Sequence, residues 1–186
     1  MKTFYQNEGG VVPLLSKKPL EGVVVTGPNW KTVPDGIDVL KPLSWSIESG
    51  TKYHGPRSVL LCEIVLPEEH AGAAVCWYCN AGYDKTLKRP VFARNSKLVR
   101  TFERLFPDEP GTVQESGGLL LEHYLIGLVT TTKHTRKGGK LIEKPEARWY
   151  SKVQELLEAG PRVLKGPPTR SVQNWLQEFS DQYEQT

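Results

Sequence analysis

Three segments of strand length follow one another between residues 37 and 80, and they constrain the fold more than any other feature of the sequence. In the first, apolar and polar residues alternate as in a strand buried on one face, the apolar ones being Ile37, Val39, Leu43, Trp45 and Ile47. The second, RSVLLCEIVL, is almost continuously apolar, which is typical of a central strand buried on both faces. With 17 Gly and 14 Pro among the 186 residues, turns are frequent. We predict a mostly β fold.

The third segment, residues 73–80, contains a Cys-x-x-Cys pair and an aromatic pair in the stretch AVCWYCN. Because side chains alternate across a strand, we expect Trp77 and Cys79 to share one face. Cys76 and Tyr78 then share the opposite face. Cysteines on opposite faces suit neither a shared metal ion nor a disulfide, although a turn at Cys79 would remove this objection.

Beyond residue 80 the sequence predicts a helix and two further strand regions. A helix is indicated by apolar residues at helical spacing after a residue whose side chain can cap the first turn. The expected elements, in chain order, are a loop (81–93), a helix capped by Asn95 or Ser96 and ended by Pro107, a loop (108–118), one or two strands within 119–135, a turn at RKGGK and a strand at 148–157.

The chain length is that of one domain with terminal extensions. Prolines interrupt the first 29 residues, where we expect irregular backbone with one short strand at 23–26. Residues 30–157 are expected to form the domain. Residues 158–168, which contain the stretch GPRVLKGPP, are expected to form a linker. Residues 169–186 follow as an amphipathic helix capped by Thr169.

Motifs for common catalytic sites do not occur in this sequence. The phosphate-binding loop, the nucleophile elbow, the His-Glu-x-x-His helix and the zinc deaminase signature are all missing, so we expect no enzyme activity and no cofactor. A structural zinc ion could still be held by Cys62, His70, Cys76 and Cys79. Reduced, buried thiols are the alternative, since Cys62 lies among apolar residues and the number of cysteines is odd.

Positive charge is concentrated in two segments, although the net charge of the chain is only +3. Residues 85–104 contain seven Lys or Arg and one acid, for a net charge of +6. Residues 133–152 contain seven Lys or Arg and two acids, for a net charge of +5. Such segments are commonly solvated faces, but they can also attract a polyanion.

Aromatic residues lie close to these cations in the sequence, and the combination indicates a surface for single-stranded nucleic acid. Rings stack on bases of any identity, while Lys and Arg neutralise phosphates. The candidate stacking residues are Tyr53 with Trp77 or Tyr78, and the candidate phosphate ligands are Lys52, Arg57, Lys85, Lys88, Arg89, Lys133, Arg136 and Lys137. The alternative is that most of the aromatic side chains belong to the core, Trp45 being the best candidate for that role.

The order of motifs resembles phage- and plasmid-encoded single-stranded-DNA-binding proteins of the OB-fold type. The matching stretches lie within residues 30–157 and are WKTVPDG, GTKYHGP, EEHAGAAVCWYCN, SKLVRTFERLF, TTTKHTRKGGK and RWYSKV. The resemblance implies a five-stranded Greek-key barrel with a helix between its third and fourth strands, and non-catalytic binding of single-stranded DNA for a mobile element. The chain ends in an amphipathic helix rather than in the acidic tail of many bacterial relatives.

A second hypothesis is a protein-interaction module. The C-terminal helix carries an apolar stripe that includes Trp175, Leu176 and Phe179, and this stripe could dock on a partner or on a second copy of the chain. No segment has the run of about 20 apolar residues that a membrane span requires, and the N-terminus lacks the apolar core of a signal peptide. We therefore expect a cytoplasmic protein without membrane contact.

Overall fold

The computed structural model of the chain describes residues 4–7, 10–13, 28–52, 54–109, 113–163 and 170–183. The described strands are β1 (Phe4–Asn7), β2 (Gly10–Pro13), β3 (Gly36–Glu48), β4 (Arg57–Leu66), β5 (Ala74–Asn80), β6 (Gly82–Asp84), β7 (Arg89–Val91), β8 (His123–Thr132), β9 (His134–Lys137), β10 (Lys140–Glu143) and β11 (Tyr150–Arg162). The α-helices are α1 (Lys97–Leu105), α2 (Val113–Glu122) and α3 (Arg170–Tyr183), and a short 3-10 helix spans Glu146–Arg148. The predicted mostly β fold is confirmed, with a third helix that the sequence did not predict.

Five strands pair in a closed barrel in the order β11-β5-β4-β3-β8, with β8 pairing again to β11. All of these pairings are antiparallel except that between β11 and β5, which is parallel. The parallel register aligns Val153 with Trp77. In chain order the barrel strands are β3, β4, β5, β8 and β11, so α1 and α2 both lie between the third and the fourth.

Helix α1 supports the junction between β5 and β11. The helix begins after Ser96, whose hydroxyl accepts a hydrogen bond from the Val99 N–H, and it ends before Pro107 as predicted. Lys97 Nζ donates to the Gln154 carbonyl at 2.5 Å. Arg104 donates to the carbonyls of Leu156 and Leu157 at 2.5 and 2.8 Å. Cations of α1 thus satisfy backbone acceptors along β11.

Each barrel strand directs the side chains of one face into the barrel interior. Trp77 and Cys79 belong to this buried core, together with Leu60 and Cys62 from the neighbouring strand β4. Leu98 and Phe102 of α1 pack against the same core, which explains the apolar stripe of that helix. The predicted alternation along β5 is confirmed, because Cys76 belongs to a separate cluster.

Helix α2 corrects the prediction for residues 113–122. The sequence predicted a loop and the start of a strand there, but Val113–Glu122 is helical and β8 begins only at His123. At Gly117 a side chain would collide with the indole of Trp45, so the absence of a Cβ allows α2 to contact β3 closely. Gly117, the first of the two glycines that indicated a loop, is therefore a packing feature of a helix.

Other segments differ from their predictions in smaller ways. The expected loop at 81–93 contains the hairpin β6–β7, and β11 continues to Arg162, where a linker was expected. The predicted strand at 23–26 and the cap at Thr169 lie outside the described residues. Among the residues described, no helix combines the length and the apolar character needed to cross a bilayer.

Candidate functional site

The two adjacent aromatic residues of β5 have opposite environments. Trp77 is fully buried in the barrel core, because it shares the inward face with Val75 and Cys79. The prediction that Trp77 could stack on a base is therefore wrong. Tyr78 faces outward and is half-buried. Tyr53, the other predicted stacking residue, lies outside the described residues.

Tyr78 is in contact with a cation from the neighbouring strand. The guanidinium carbon of Arg57 lies 4.4 Å from the centre of the Tyr78 ring, which is a cation–π distance. Arg57 Nε also donates to Glu48 Oε2 at 2.8 Å, and His54 Nε2 lies 3.7 Å from the same oxygen. Glu48 and Arg57 are cross-strand neighbours at the ends of β3 and β4, so backbone register brings the pair together.

Tyr150, at the start of β11, is the second ring of this surface. It is 47% exposed, and its strand β11 pairs in parallel with β5, the strand of Tyr78. The pKa of Tyr78 is raised above its usual range first by burial and then by the neighbouring Cys76, with a further contribution from Tyr150. The two rings thus belong to neighbouring strands of the barrel that are distant in sequence.

The connection between β8 and β11 adds two cations and a third ring. Lys144 Nζ lies 4.6 Å from the centre of the Tyr150 ring, and Lys133 Nζ lies 4.9 Å from that of Trp149. Trp149 Nε1 donates to the Lys144 carbonyl at 2.9 Å, and the Lys144 N–H donates to the Lys133 carbonyl at 2.8 Å. We define the ring–cation surface as Arg57, Tyr78, Lys133, Lys144, Trp149 and Tyr150.

Sequence reasoning selected only part of this surface. Arg57, Tyr78 and Lys133 were among the candidate residues, whereas Lys144, Trp149 and Tyr150 were not. A signal was present in the sequence, because WY lies within the basic segment 133–152 that also contains Lys144. Tyr150 lies on a strand next to that of Tyr78 because β11 pairs in parallel with β5, which no local pattern indicates.

The remaining predicted cations lie on three connections. Lys52 is exposed in the β3–β4 loop. Lys85, Lys88 and Arg89 are exposed on the β6–β7 hairpin, which starts at the same end of the barrel as that loop, since the Ala81 N–H donates to the Pro56 carbonyl at 2.8 Å. Arg136 and Lys137 lie on β9, but their side chains are outside the described part of the chain.

An apolar cluster continues the ring–cation surface along the outward face of β4 and β5. Leu61, Ala74 and Cys76 are buried there, and Val59 and Tyr78 pack against them. The side chains of this cluster alternate with those of the barrel core along both strands. Tyr78 is therefore anchored at its base by apolar contacts, which fixes the position of its ring.

The apolar stripe of α3 packs within the chain. Trp175, Leu176 and Phe179 contact a buried cluster that includes Val39 and Tyr124. Trp175 Nε1 donates to Glu158 Oε1 at 2.6 Å, and its indole lies against Gly160, where any side chain would collide with it. The prediction that this stripe docks on a partner is corrected, because its apolar side chains are used to bind α3 to β11 and the barrel.

The cysteines lie in apolar surroundings. Cys62 and Cys79 face the core, and Cys76 lies on the outward face as predicted. Burial raises the pKa of Cys79 to about 12 and that of Cys62 well above its usual range. Since the thiolate is the form that binds metals and attacks electrophiles, these thiols are protonated at neutral pH. No group of three or more His, Cys, Asp or Glu within the described ranges is arranged to hold a metal ion.

The comparisons with known proteins do not assign this site. No family model, no curated protein and no solved structure matches the chain. The chemistry of the ring–cation surface is therefore the basis for a functional assignment. Exposed rings with cations over their faces can stack on planar apolar groups and neutralise anions attached to them.

Proposed function

We propose that this chain binds single-stranded nucleic acid, preferably DNA, without catalysing a reaction. The observation that carries the proposal is that Tyr78 of β5 and Tyr150 of β11, two neighbouring barrel strands, each have a cation over the ring, Arg57 and Lys144 respectively. Each ring comes from a different part of the chain, yet each has a cation within about 5 Å of its centre, which is cation–π range.

The physical reason for this ligand is that it contains both groups that the surface accepts. A base stacked on an exposed ring contributes about 1–3 kcal/mol whatever its identity, and Lys or Arg gains affinity by releasing counterions from phosphates. A duplex hides the faces of its bases, so rings that stack on them favour single strands. Binding is expected to tolerate many sequences, since nothing in stacking reads base edges.

The barrel supports the same proposal, since we infer that it is of the OB type. It has five strands, and the helices α1 and α2 lie between the third and the fourth, where the resemblance to phage- and plasmid-encoded proteins implies one helix. OB folds bind oligonucleotides on the face of strands two and three and on the loops between strands one and two and between four and five. Arg57 and Tyr78 belong to the second and third barrel strands, and Lys133 and Lys144 to the last of these connections.

The proposal is tested by fluorescence anisotropy with a labelled oligothymidine at two salt concentrations, about 50 and 200 mM, between which phosphate-binding proteins lose much of their affinity. We expect saturable binding at the lower concentration and clearly weaker binding at the higher one. A duplex of the same length serves as the control and should bind less well. Absence of binding at the lower concentration would refute the proposal.

A further inference from the structure

Arg57 makes two contacts that a bound nucleic acid would have to share. Its guanidinium covers one face of the Tyr78 ring at 4.4 Å, and its Nε donates to Glu48 at 2.8 Å. Both partners of the ion pair are partly shielded, with side-chain exposures of 23% for Arg57 and 30% for Glu48. In the unbound chain the carboxylate therefore holds the cation over the ring on which a base would stack.

We infer that Glu48 restrains nucleic-acid binding by competing with phosphate for Arg57, an inference that rests on the proposed function. A phosphate that approaches the surface offers Arg57 an anionic partner in place of Glu48. As the guanidinium turns to the phosphate, the covered face of Tyr78 opens to a base. Glu48 thus makes access to the ring dependent on a phosphate.

The chemistry of the guanidinium makes this exchange specific. Arginine binds carboxylates and phosphates with the same planar set of donors, so the two anions are direct competitors. A nucleoside without phosphate cannot displace Glu48 and would meet a covered ring. After the exchange the released carboxylate regains a counterion from solution, which reduces the net number of ions that binding releases.

The substitution Glu48→Gln tests the inference, with Glu63→Gln as the matched control. Glu63 lies on β4, on the same face of the strand as Arg57 and six residues from it, which is about 20 Å and well beyond the screening length in physiological salt. Affinity for a labelled oligothymidine is measured as a function of salt. In parallel, the Nε signal of Arg57 is followed by NMR in the native chain, assigned by its loss in Arg57→Lys.

We expect Glu48→Gln to bind roughly two- to fivefold more tightly than the native chain, the range of an ion pair of this exposure. Its affinity should also depend more steeply on salt, while Glu63→Gln binds like the native chain. The Arg57 signal should shift on saturation with the oligonucleotide. Thermal unfolding of each variant verifies that it is folded.

Two other results would each have a distinct meaning. If the native chain binds but Glu48→Gln binds no more tightly than Glu63→Gln, or the Arg57 signal does not move on saturation, competition by Glu48 is refuted and the proposed function stands. If the native chain does not bind the oligonucleotide at low salt, the proposed function and this inference both fail.

Discussion

The two basic segments of the chain have similar charge and different uses. In residues 85–104, Lys97 and Arg104 direct their donors at backbone carbonyls of β11. In residues 133–152, Lys133 and Lys144 lie over the rings of Trp149 and Tyr150. The first segment therefore uses part of its charge to complete the barrel, and the second presents its charge together with aromatic faces.

This difference shows that local charge density alone does not identify a binding surface. An N–H donor that is bonded to a strand carbonyl cannot also bind a phosphate without loss of that bond. A cation over an exposed ring is available to an anion, and its ring is available to an apolar group. Nucleic-acid binding should therefore depend on the second segment, and the stability of the barrel on the first.

The largest effect is expected from Tyr150→Ala, which removes an exposed stacking ring from the ring–cation surface. Affinity for oligothymidine should fall by about 1–3 kcal/mol, the value for one base stacked on an aromatic side chain. Tyr83→Ala is the matched control, because Tyr83 is 48% exposed and Tyr150 is 47% exposed. Anisotropy titration measures both variants. Equal losses would show that binding does not distinguish the two regions.

A smaller loss is expected from the double substitution Lys133→Gln and Lys144→Gln. Each lost phosphate contact should make the dependence of log affinity on log salt shallower by about 0.7, so the pair should reduce the slope by about 1.4. The control is Lys85→Gln with Lys88→Gln on the β6–β7 hairpin, which removes the same charge from the first segment. If the control reduced the slope more than the Lys133/Lys144 pair did, phosphate binding would depend on the first segment rather than on the second.

Arg104→Ala should affect stability rather than binding. Its guanidinium donates to the carbonyls of Leu156 and Leu157, and its side chain is 46% exposed. Charge-assisted hydrogen bonds of this kind are worth more when buried, so after solvent screening we expect a loss of about 1 kcal/mol in the free energy of unfolding. Urea denaturation measures it, with Arg100→Ala on the same helix as the control. Reduced affinity at unchanged stability would contradict the assignment.

The smallest effect is expected from pH, which tests a part of the barrel outside both basic segments. Burial raises the pKa of Asp38 above its ordinary value of 3.8, and His70, whose Nδ1 lies 2.7 Å from Oδ1, offsets part of this cost. A raised pKa means that the folded state binds the proton more tightly than the unfolded state does. The stability that this carboxyl contributes is thus present below pH 3.8 and lost as pH rises through the folded value.

Asp38→Asn separates this effect from other carboxylates. Asparagine cannot ionise, and its Oδ1 can still accept a hydrogen bond from His70. The variant should therefore gain stability relative to the native chain as pH is raised from about 4 to 7. Urea midpoints of both proteins at the two pH values measure the difference. If the native chain instead gained stability relative to the variant between these pH values, the predicted direction of the effect would be wrong.

Much of the fold could be predicted from the sequence because its signals are local. The alternation or continuous apolar character of the segments before residue 80 marks β3, β4 and β5, and Ser96 marks the start of α1 through a side-chain oxygen that satisfies a free N–H. Helix α2 could not be predicted in this way. Its glycines disfavour a helix by intrinsic propensity, and only the tertiary contact with Trp45 explains the glycine at position 117.

The candidate site was less accessible to sequence reasoning, because it is assembled from strands that are far apart in the chain. Alternation implies that one of Trp77 and Tyr78 faces inward, but the core contacts decide which one. The strands of Tyr150 and Tyr78 become neighbours only through the parallel closure of the barrel. The stripe of α3 has the periodicity of a docking helix, and its contact with the barrel is likewise a tertiary property.

The central claim is that the rings of β5 and β11 form one contact surface for a single strand. Photo-crosslinking with an oligonucleotide that carries 5-iododeoxyuridine, followed by mass spectrometry of the peptides, tests it most directly. We predict adducts at Tyr78, Trp149 or Tyr150. Adducts confined to the β6–β7 hairpin or to α3, or none under conditions of saturated binding, would contradict it.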